Sequence, residues 1–511
     1  MSLNIPHIKG RFRLFDSTGL SPDQVRILQV LIWGVLGGTV WGNITTGAAM
    51  TGYIKDLGAS DTLYGFVFAL PFLANGFQLF VSYWMERTLK RTELFMISGF
   101  IQRLVWFPFA LVPLLIPMHQ AQLRLWCAVI LALVSACMGP AMNVSFFSFL
   151  NDVVPIKIRG RYLAVRSRVA TIVGLGMGIL VARLLDILPA FTNYIVVFAI
   201  AGVFGTFDIC CFLFCKLPPM QPSPEKASLP KMLKSIFTDK RYMRLVLSIS
   251  IWLFCVQLGA PFFNVFSLSS VADGGMGMSK TDVIFTGQVM YNAALILLIS
   301  RWGRAMDQYG AKPVLVVSAF LTAFMPMFWF RIGPGMLVLA AISNFYSGST
   351  YCAVDLSMQS LFMGQAPDKN RSMYFAVYFI FTQLLGLALG SMVGGLLLDH
   401  VLVHVESLKI SLAGIPFGRY HALFALTTAL RVLSVLLLLS TIDDGQPKGQ
   451  TIFFIKSALS GCVNSFRALY QSLRRRRARR LYSRNQLAHE RRIAHLESMI
   501  DAEKKRLDDE K

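Results

Sequence analysis

Twelve long apolar runs succeed one another along the first 440 of 511 residues. Each is near the roughly 20 residues that let a helix cross a hydrocarbon core about 30 Å thick. They occupy 27–54, 61–84, 94–117, 122–151, 162–186 and 191–216, then 242–271, 281–304, 312–332, 335–366, 372–399 and 419–440. Inside lipid every backbone N–H and C=O must find a partner within the chain, so such runs fold as helices packed on helices. Pro71, Pro108, Pro140, Pro261 and Pro326 fall inside runs, which neighbouring helices tolerate by satisfying the freed backbone groups. Only 15% of the residues are charged, against about 25% in soluble domains. The expectation is an all-α integral membrane protein with twelve transmembrane helices.

The formal net charge of +22 invites a nucleic-acid reading, but its placement answers differently. Residues 1–26 are polar, with no apolar core of a cleavable signal peptide, so the amino terminus is expected to stay inside. On that side fall 40 of the 49 Lys and Arg, against seven on the other; Arg103 and Arg431 lie within runs. This is the positive-inside bias that orients membrane proteins, and an even number of crossings returns both termini to the cytoplasm. The expected setting is the cell (inner or plasma) membrane, with no nucleic-acid partner.

Between the sixth and seventh runs lies a proline-rich polar stretch, residues 217–241, expected to be a semi-rigid cytoplasmic linker. It divides the chain into a segment 1–26, a six-helix part 27–216, a second six-helix part 242–440 and a basic tail 441–511. The halves echo each other. Pro155, Arg159 and Tyr162 recur as Pro367, Arg371 and Tyr374, 212 residues on. Met85, Glu86 and Arg91 recur as Met306, Asp307 and Lys312, 221 residues on. Two echoes at corresponding connections point to internal duplication.

The second echo carries Gly303, Asp307, Gly310 and Lys312 in the spacing G-x-x-x-D-x-x-G-x-K. With twelve runs in two sextets, the chain resembles the major facilitator superfamily of secondary transporters. The first-half copy departs from the pattern, with Ser82 and Leu89 where glycines belong. The resemblance implies two pseudo-symmetric six-helix bundles, a seam formed by spans two, five, eight and eleven, and a cavity lined by spans one, four, seven and ten. It also implies that Glu86, Arg91, Arg159, Arg166, Gly303, Asp307, Gly310, Lys312 and Arg371 belong to gating loops, where breaking and remaking charge pairs accompanies a rocking motion. Solvated turns with orienting charges are the other reading. Glycines spaced four apart, as in Gly386, Gly390 and Gly394, read as close packing or as a gliding surface.

Ionisable groups in a bilayer are costly, so each one asks for a reason. Asp355 lies twelve residues before Pro367, and at about 1.5 Å per residue that is ~18 Å from the helix end, near mid-membrane. It is the candidate coupling residue, able to bind a proton, a sodium ion or a cationic group, or else to pair with a buried arginine. Asp208 is a weaker candidate, and Arg103 and Arg431 read as structural. Asn43, Thr46, Asn143, Gln257, Asn264, Asn292, Gln359 and Gln383, beside aromatic rings, suit a sugar-like or zwitterionic small solute.

No P-loop, H-E-x-x-H, G-x-S-x-G or C-x-x-C occurs, and the seven His are scattered. No cofactor, metal or enzymatic activity is expected. In the tail, apolar residues at helical spacing lead into Arg474–Arg480, the profile of an interfacial helix with a basic run that attracts anionic lipid. The reading is a secondary transporter of a small polar solute working by alternating access, with proton coupling as a subsidiary expectation. Export of amphiphilic or cationic compounds, and a transporter-like receptor signalling through the tail, are the alternatives.

Overall fold

The computed structural model describes residues 22–154, 156–189, 191–214, 229–271, 274–367, 371–408, 411–412 and 415–442, and residues 493, 496–500 and 502 of the tail. Pro155, linker residues 217–228 and Arg474–Arg480 lie outside the described residues, as do the side chains of Glu86, Arg159 and Arg371. Contacts group residues 1–446 as one unit and 447–511 as another.

The described residues contain twelve helices long and apolar enough to cross a membrane. In the first half these are α1 (Gln24–Asp56), α2 (Asp61–Met85), α3 (Arg91–Leu115), α4 (Ala121–Leu150), α5 (Val165–Ile187) and α6 (Thr192–Leu213). In the second they are α7 (Lys240–Leu268), α8 (Lys280–Tyr309), α9 (Ala311–Phe328), α10 (Leu337–Gln365), α11 (Met373–Val405) and α12 (Arg419–Thr441). Their ends agree with the sequence expectation to within four residues, except that α8 and α11 run five and six residues further. A two-residue antiparallel ladder, Ser411–Leu412 with Ile415–Pro416, sits between α11 and α12.

The two bundles repeat one packing plan. In the first, α1 packs on α5 and α6, α2 on α4, and α3 on α4; in the second, α7 packs on α11 and α12, α8 on α10, and α9 on α10. The Tyr162 hydroxyl, on the helix that becomes α5, donates to the Leu28 carbonyl at 3.0 Å, pinning it to α1. Tyr374 is tied to the start of α7 by other bonds: its carbonyl accepts from the Tyr242 hydroxyl at 2.8 Å, and its own hydroxyl donates to Asp239 Oδ2 at 3.4 Å. The duplicated tyrosine thus ties the fifth helix of each half to the first through different bonds. Large apolar side chains such as Phe80, Leu115, Ile172 and Val338 stay exposed on the outside, as lipid rather than water requires.

Helix breaks are compensated. Pro261 lacks a backbone N–H, and α7 breaks just before it, between Gln257 and Ala260. Arg431 of α12 is 2% exposed and donates to the Val256 carbonyl at 2.9 Å, with the Cys255 and Thr322 carbonyls at 3.5 Å. It thereby satisfies backbone acceptors at the break. π-helical turns interrupt α8 at Ile284–Val289 and α11 at Thr382–Ala388 and Leu397–Val401. Both helices belong to the seam between bundles, where α2 meets α11 and α5 meets α8. The end of the molecule carrying the α6–α7 linker is called the linker face below, and the opposite end the far face.

Candidate functional site

A cavity of about 790 Å³ lies inside the first bundle, with side chains from all of α1–α6 in its wall. It runs from Ile54 and Tyr64, near the far face, to Phe147, Arg166 and Ser167 toward the linker face. Aromatic rings stand in its wall, among them Trp41, Phe68, Phe72, Trp106, Phe146 and Phe147, together with aliphatic side chains and hydroxyl and amide groups such as Thr45, Thr46 and Asn143. Three charged side chains line it: Arg103, Arg166 and Asp208. Arg103 Nη2 and Asp208 Oδ2 are 3.0 Å apart, with side chains only 4% and 9% exposed. The Arg103 guanidinium lies over the Trp41 ring, 3.5 Å from its centroid. Gly34 and Gly38 make room for the carboxylate, since a Cβ at either would stand 2.9 Å from an Asp208 oxygen. Arg166 lies over the Phe146 ring at 4.6 Å and within electrostatic range of Asp208. From the sequence, Arg103 reads as structural and Asp208 as a weak candidate. The signal available was a lone basic and a lone acidic residue in spans three and six, which become meaningful once those spans are neighbours.

At the far face the two bundles are clamped together twice by the same device. Asp186, ending α5, accepts the backbone N–H groups of Lys280 and Thr281 at 3.1 and 2.9 Å, capping the start of α8. Asp399, near the end of α11, accepts those of Asp61 and Thr62 at 3.3 and 2.6 Å, capping the start of α2. Each clamp sets a carboxylate of one bundle at a helix amino end of the other, where the helix dipole favours negative charge. Asp61, 1% exposed on its side chain, also binds Lys55 at 2.8 Å and Arg419 at 3.3 Å, and Lys280 reaches Asp56 at 3.4 Å. Below this layer, the Tyr64 hydroxyl donates to the Pro261 carbonyl at 3.4 Å, and Asn43 accepts from the Gln288 amide across the seam. Toward the linker face the packing of α5 on α8 ends: it is concentrated at residues 280–289. The bundles are therefore joined at the far face and parted between α5 and α8 toward the linker face, where α2 and α11 keep their contact.

The sequence-derived candidates distribute unevenly around this arrangement. Thr46, Asn143 and Arg166 line the cavity. Asn43 belongs to the seam through Gln288. Gln257 is buried where α7 meets Gly390 of α11, Asn264 is half-buried on α7, and Asn292 donates to the Gln288 carbonyl at 2.8 Å within α8. Gln383 lies in a π-helical turn with its buried Oε1 lacking a donor among the described residues. Asp355 is exposed on α10, accepts from Gln359 at 3.0 Å, and has Tyr291, Tyr351 and Tyr378 within electrostatic range. None of these second-half side chains contributes to the cavity wall, which comes from the first bundle alone.

The repeated loop turns on residues of positive φ in both halves. Gly310 has φ +91°, and Leu89, 221 positions earlier, also takes a positive φ, +57°, in the left-handed helical region that a side chain disfavours. Arg91 is buried and donates to Ser148 at 3.0 Å, so the first-half loop is tied to α4. Asp307 is exposed, Gly303 packs near Leu356, and Lys312 is half-buried. The glycine lines divide by role. Gly386, Gly390 and Gly394 face α7 of their own bundle, whereas Gly395 meets Asp61 and Thr62, and Gly178 meets Gln288, across the seam.

No curated protein sequence matches the chain significantly. Several solved structures share its fold. The nucleoside transporter NupG is 16% identical with a TM-score of 0.58, covering 82% of this chain and 99% of that one. The xylose transporter XylE from E. coli, in a partially occluded inward-open conformation, is 14% identical with a TM-score of 0.57, covering 84% and 100%. A bacterial homolog of the human lysosomal transporter Spinster, inward-facing and unoccupied, is 15% identical with a TM-score of 0.56, covering 86% and 99%. The family model described as Major Facilitator Superfamily matches residues 31–301 and 275–482. Those ranges take in both bundles and the repeated loop, and with twelve crossing helices in two matching sextets the chain belongs to the major facilitator superfamily of membrane transporters.

Proposed function

We propose that the protein is a secondary active transporter that moves a small polar solute by alternating access, and that the conformation described is open toward the cytoplasm. The observation that carries this reading is the pairing of a solute-sized cavity with a far face closed by two inter-bundle carboxylate clamps. Rocking of one bundle against the other would have to release both clamps together, since they lie on the two sides of one seam. The excess of Lys and Arg on the linker side supports a cytoplasmic linker face with both termini inside, in the cell membrane. The fold likeness to nucleoside and xylose transporters supports a solute of that size.

Counterflow in proteoliposomes with a panel of sugars, amino acids, carboxylates and cationic dyes tests the reading. One class should exchange, and exchange of none would remove transport as the function. Asp355 is the proposed proton-coupling residue, since it pairs with Gln359 rather than with a buried arginine and lies among tyrosines. Uptake should accumulate solute along an imposed pH gradient, and Asp355→Asn should retain counterflow while losing accumulation. A variant that concentrates solute as well as the parent removes that role.

A further inference from the structure

The cavity of the first bundle has an unbalanced supply of hydrogen-bond donors. Arg103 Nε and Nη1, Arg166 Nε and Trp41 Nε1 are buried and have no acceptor among the described residues, while Gln102 Oε1 is the corresponding acceptor left without a donor. All four side chains line the cavity. Arg103 is 3% exposed, and its one ion pair, to Asp208, occupies Nη2 alone. Buried polar groups are ordinarily satisfied, so such a set points to a partner that brings acceptors.

Charge points the same way. The wall holds two guanidinium groups and one carboxylate, leaving one positive charge in a setting where an uncompensated charge is expensive. A single negative charge balances it, while a cation would add to the excess. Arginine is also the side chain best suited to carboxylate and phosphate oxygens. The two guanidinium groups lie against the Trp41 and Phe146 rings, and Phe68, Phe72, Trp106 and Phe147 add further apolar wall, which suits a ligand whose body beyond its charge is apolar.

We infer that this cavity binds a small organic monoanion with an apolar or aromatic body, its carboxylate received by Arg103 and Arg166, with Asp208 as the fixed counter-ion that holds Arg103 in place. The inference rests on the transport reading for its purpose, and narrows it by naming the class of solute. Binding itself can be measured without transport.

The test uses the purified full-length chain and three matched probes: 4-phenylbutyrate, 4-phenylbutyramide and 4-phenylbutylammonium. A ligand of the native fold raises the thermal unfolding midpoint with concentration, and calorimetric titration gives its affinity. The carboxylate should bind about ten-fold or more tighter than the amide, and the ammonium more weakly than either, as expected for charge-assisted recognition. Arg166→Gln, on a half-buried side chain, should reduce the carboxylate preference to about three-fold or less, and Arg103→Lys, which keeps charge but not the planar fork, should weaken carboxylate binding several-fold. Equal or tighter binding of the amide or the ammonium overturns the inference. So does an Arg166→Gln variant with an unchanged preference, or an absence of carboxylate binding up to about 10 mM, an affinity of only a few kcal/mol. Carboxylate binding without counterflow of any solute would instead overturn the transport reading and leave the site standing.

Discussion

Arg103 and Asp208 show how much a single buried pair can decide. In hydrocarbon neither charge is tolerable alone, and each has a side chain less than 10% exposed. Removing one partner of such a pair costs roughly 3–5 kcal/mol, while replacing both by apolar groups is often close to neutral. Asp208→Asn and Arg103→Met should each lower the thermal midpoint of the purified protein strongly. The double variant Arg103→Met, Asp208→Leu should regain most of that loss while losing carboxylate binding. Additive losses in the double variant would mean that the two residues do not act as a pair. Leu89 gives the opposite case. It is 40% exposed and carries a left-handed φ of +57° in the position where the repeat has Gly310. Leu89→Gly should raise stability by about 1 kcal/mol, the strain of a side chain in that conformation, read as an upward shift in the same midpoint. Leu89 was legible as a departure from the loop motif. The Arg103–Asp208 pair was not, because one-dimensional spacing does not say that spans three and six adjoin.

Among the elements, the helix count and helix ends were readable because lipid imposes a length and an apolar composition on anything that crosses it. The π-helical turns of α8 and α11 had no such signal. They are departures of one residue in the hydrogen-bond ladder, and they occur on the two second-bundle helices that pack on α5 and α2 of the first bundle. The glycine line Gly386, Gly390 and Gly394 was visible by spacing, but the partner was not: the structure sets it against α7, and a Cβ at Gly394 would stand on the Leu258 carbonyl. Asp186 and Asp399 escaped notice since each lies at a span end, where a charge needs no explanation. Their meaning comes from capping a helix of the other bundle. The double variant Asp186→Asn, Asp399→Asn keeps the side-chain shape but removes the charge that the helix amino ends favour, worth a few tenths to ~2 kcal/mol at each clamp. It should shift the protein away from the far-face-closed state. A cysteine at Ile54, in the cavity wall behind the seal, should then react severalfold faster with a membrane-impermeant maleimide applied from the far side, over the background of the same variant lacking it. An unchanged rate would show that the clamps do not hold the seal.

At the scale of the molecule, duplication links the sequence to the architecture. Tyr162 and Tyr374 pin corresponding helices, Leu89 and Gly310 turn corresponding loops, and Asp186 and Asp399 close corresponding corners of the seam. The expected sharing of a cavity between spans one, four, seven and ten was a statement about the repeat as a whole. The described cavity is walled by α1–α6, where Gly34 and Gly38 admit the Asp208 carboxylate. The central claim is that the bundles exchange openings, and it can be measured without knowing the solute. Spin labels at Ile187 and Val271, exposed at the far ends of α5 and α7, report one face; labels at Arg168 and Arg301, exposed toward the linker ends of α5 and α8, report the other. Pulsed electron-electron distance measurements on the labelled protein in lipid nanodiscs should give two populations at each face, the short far-face distance belonging with the long linker-face distance and the reverse. A single, unmoving distance at both faces would contradict the account.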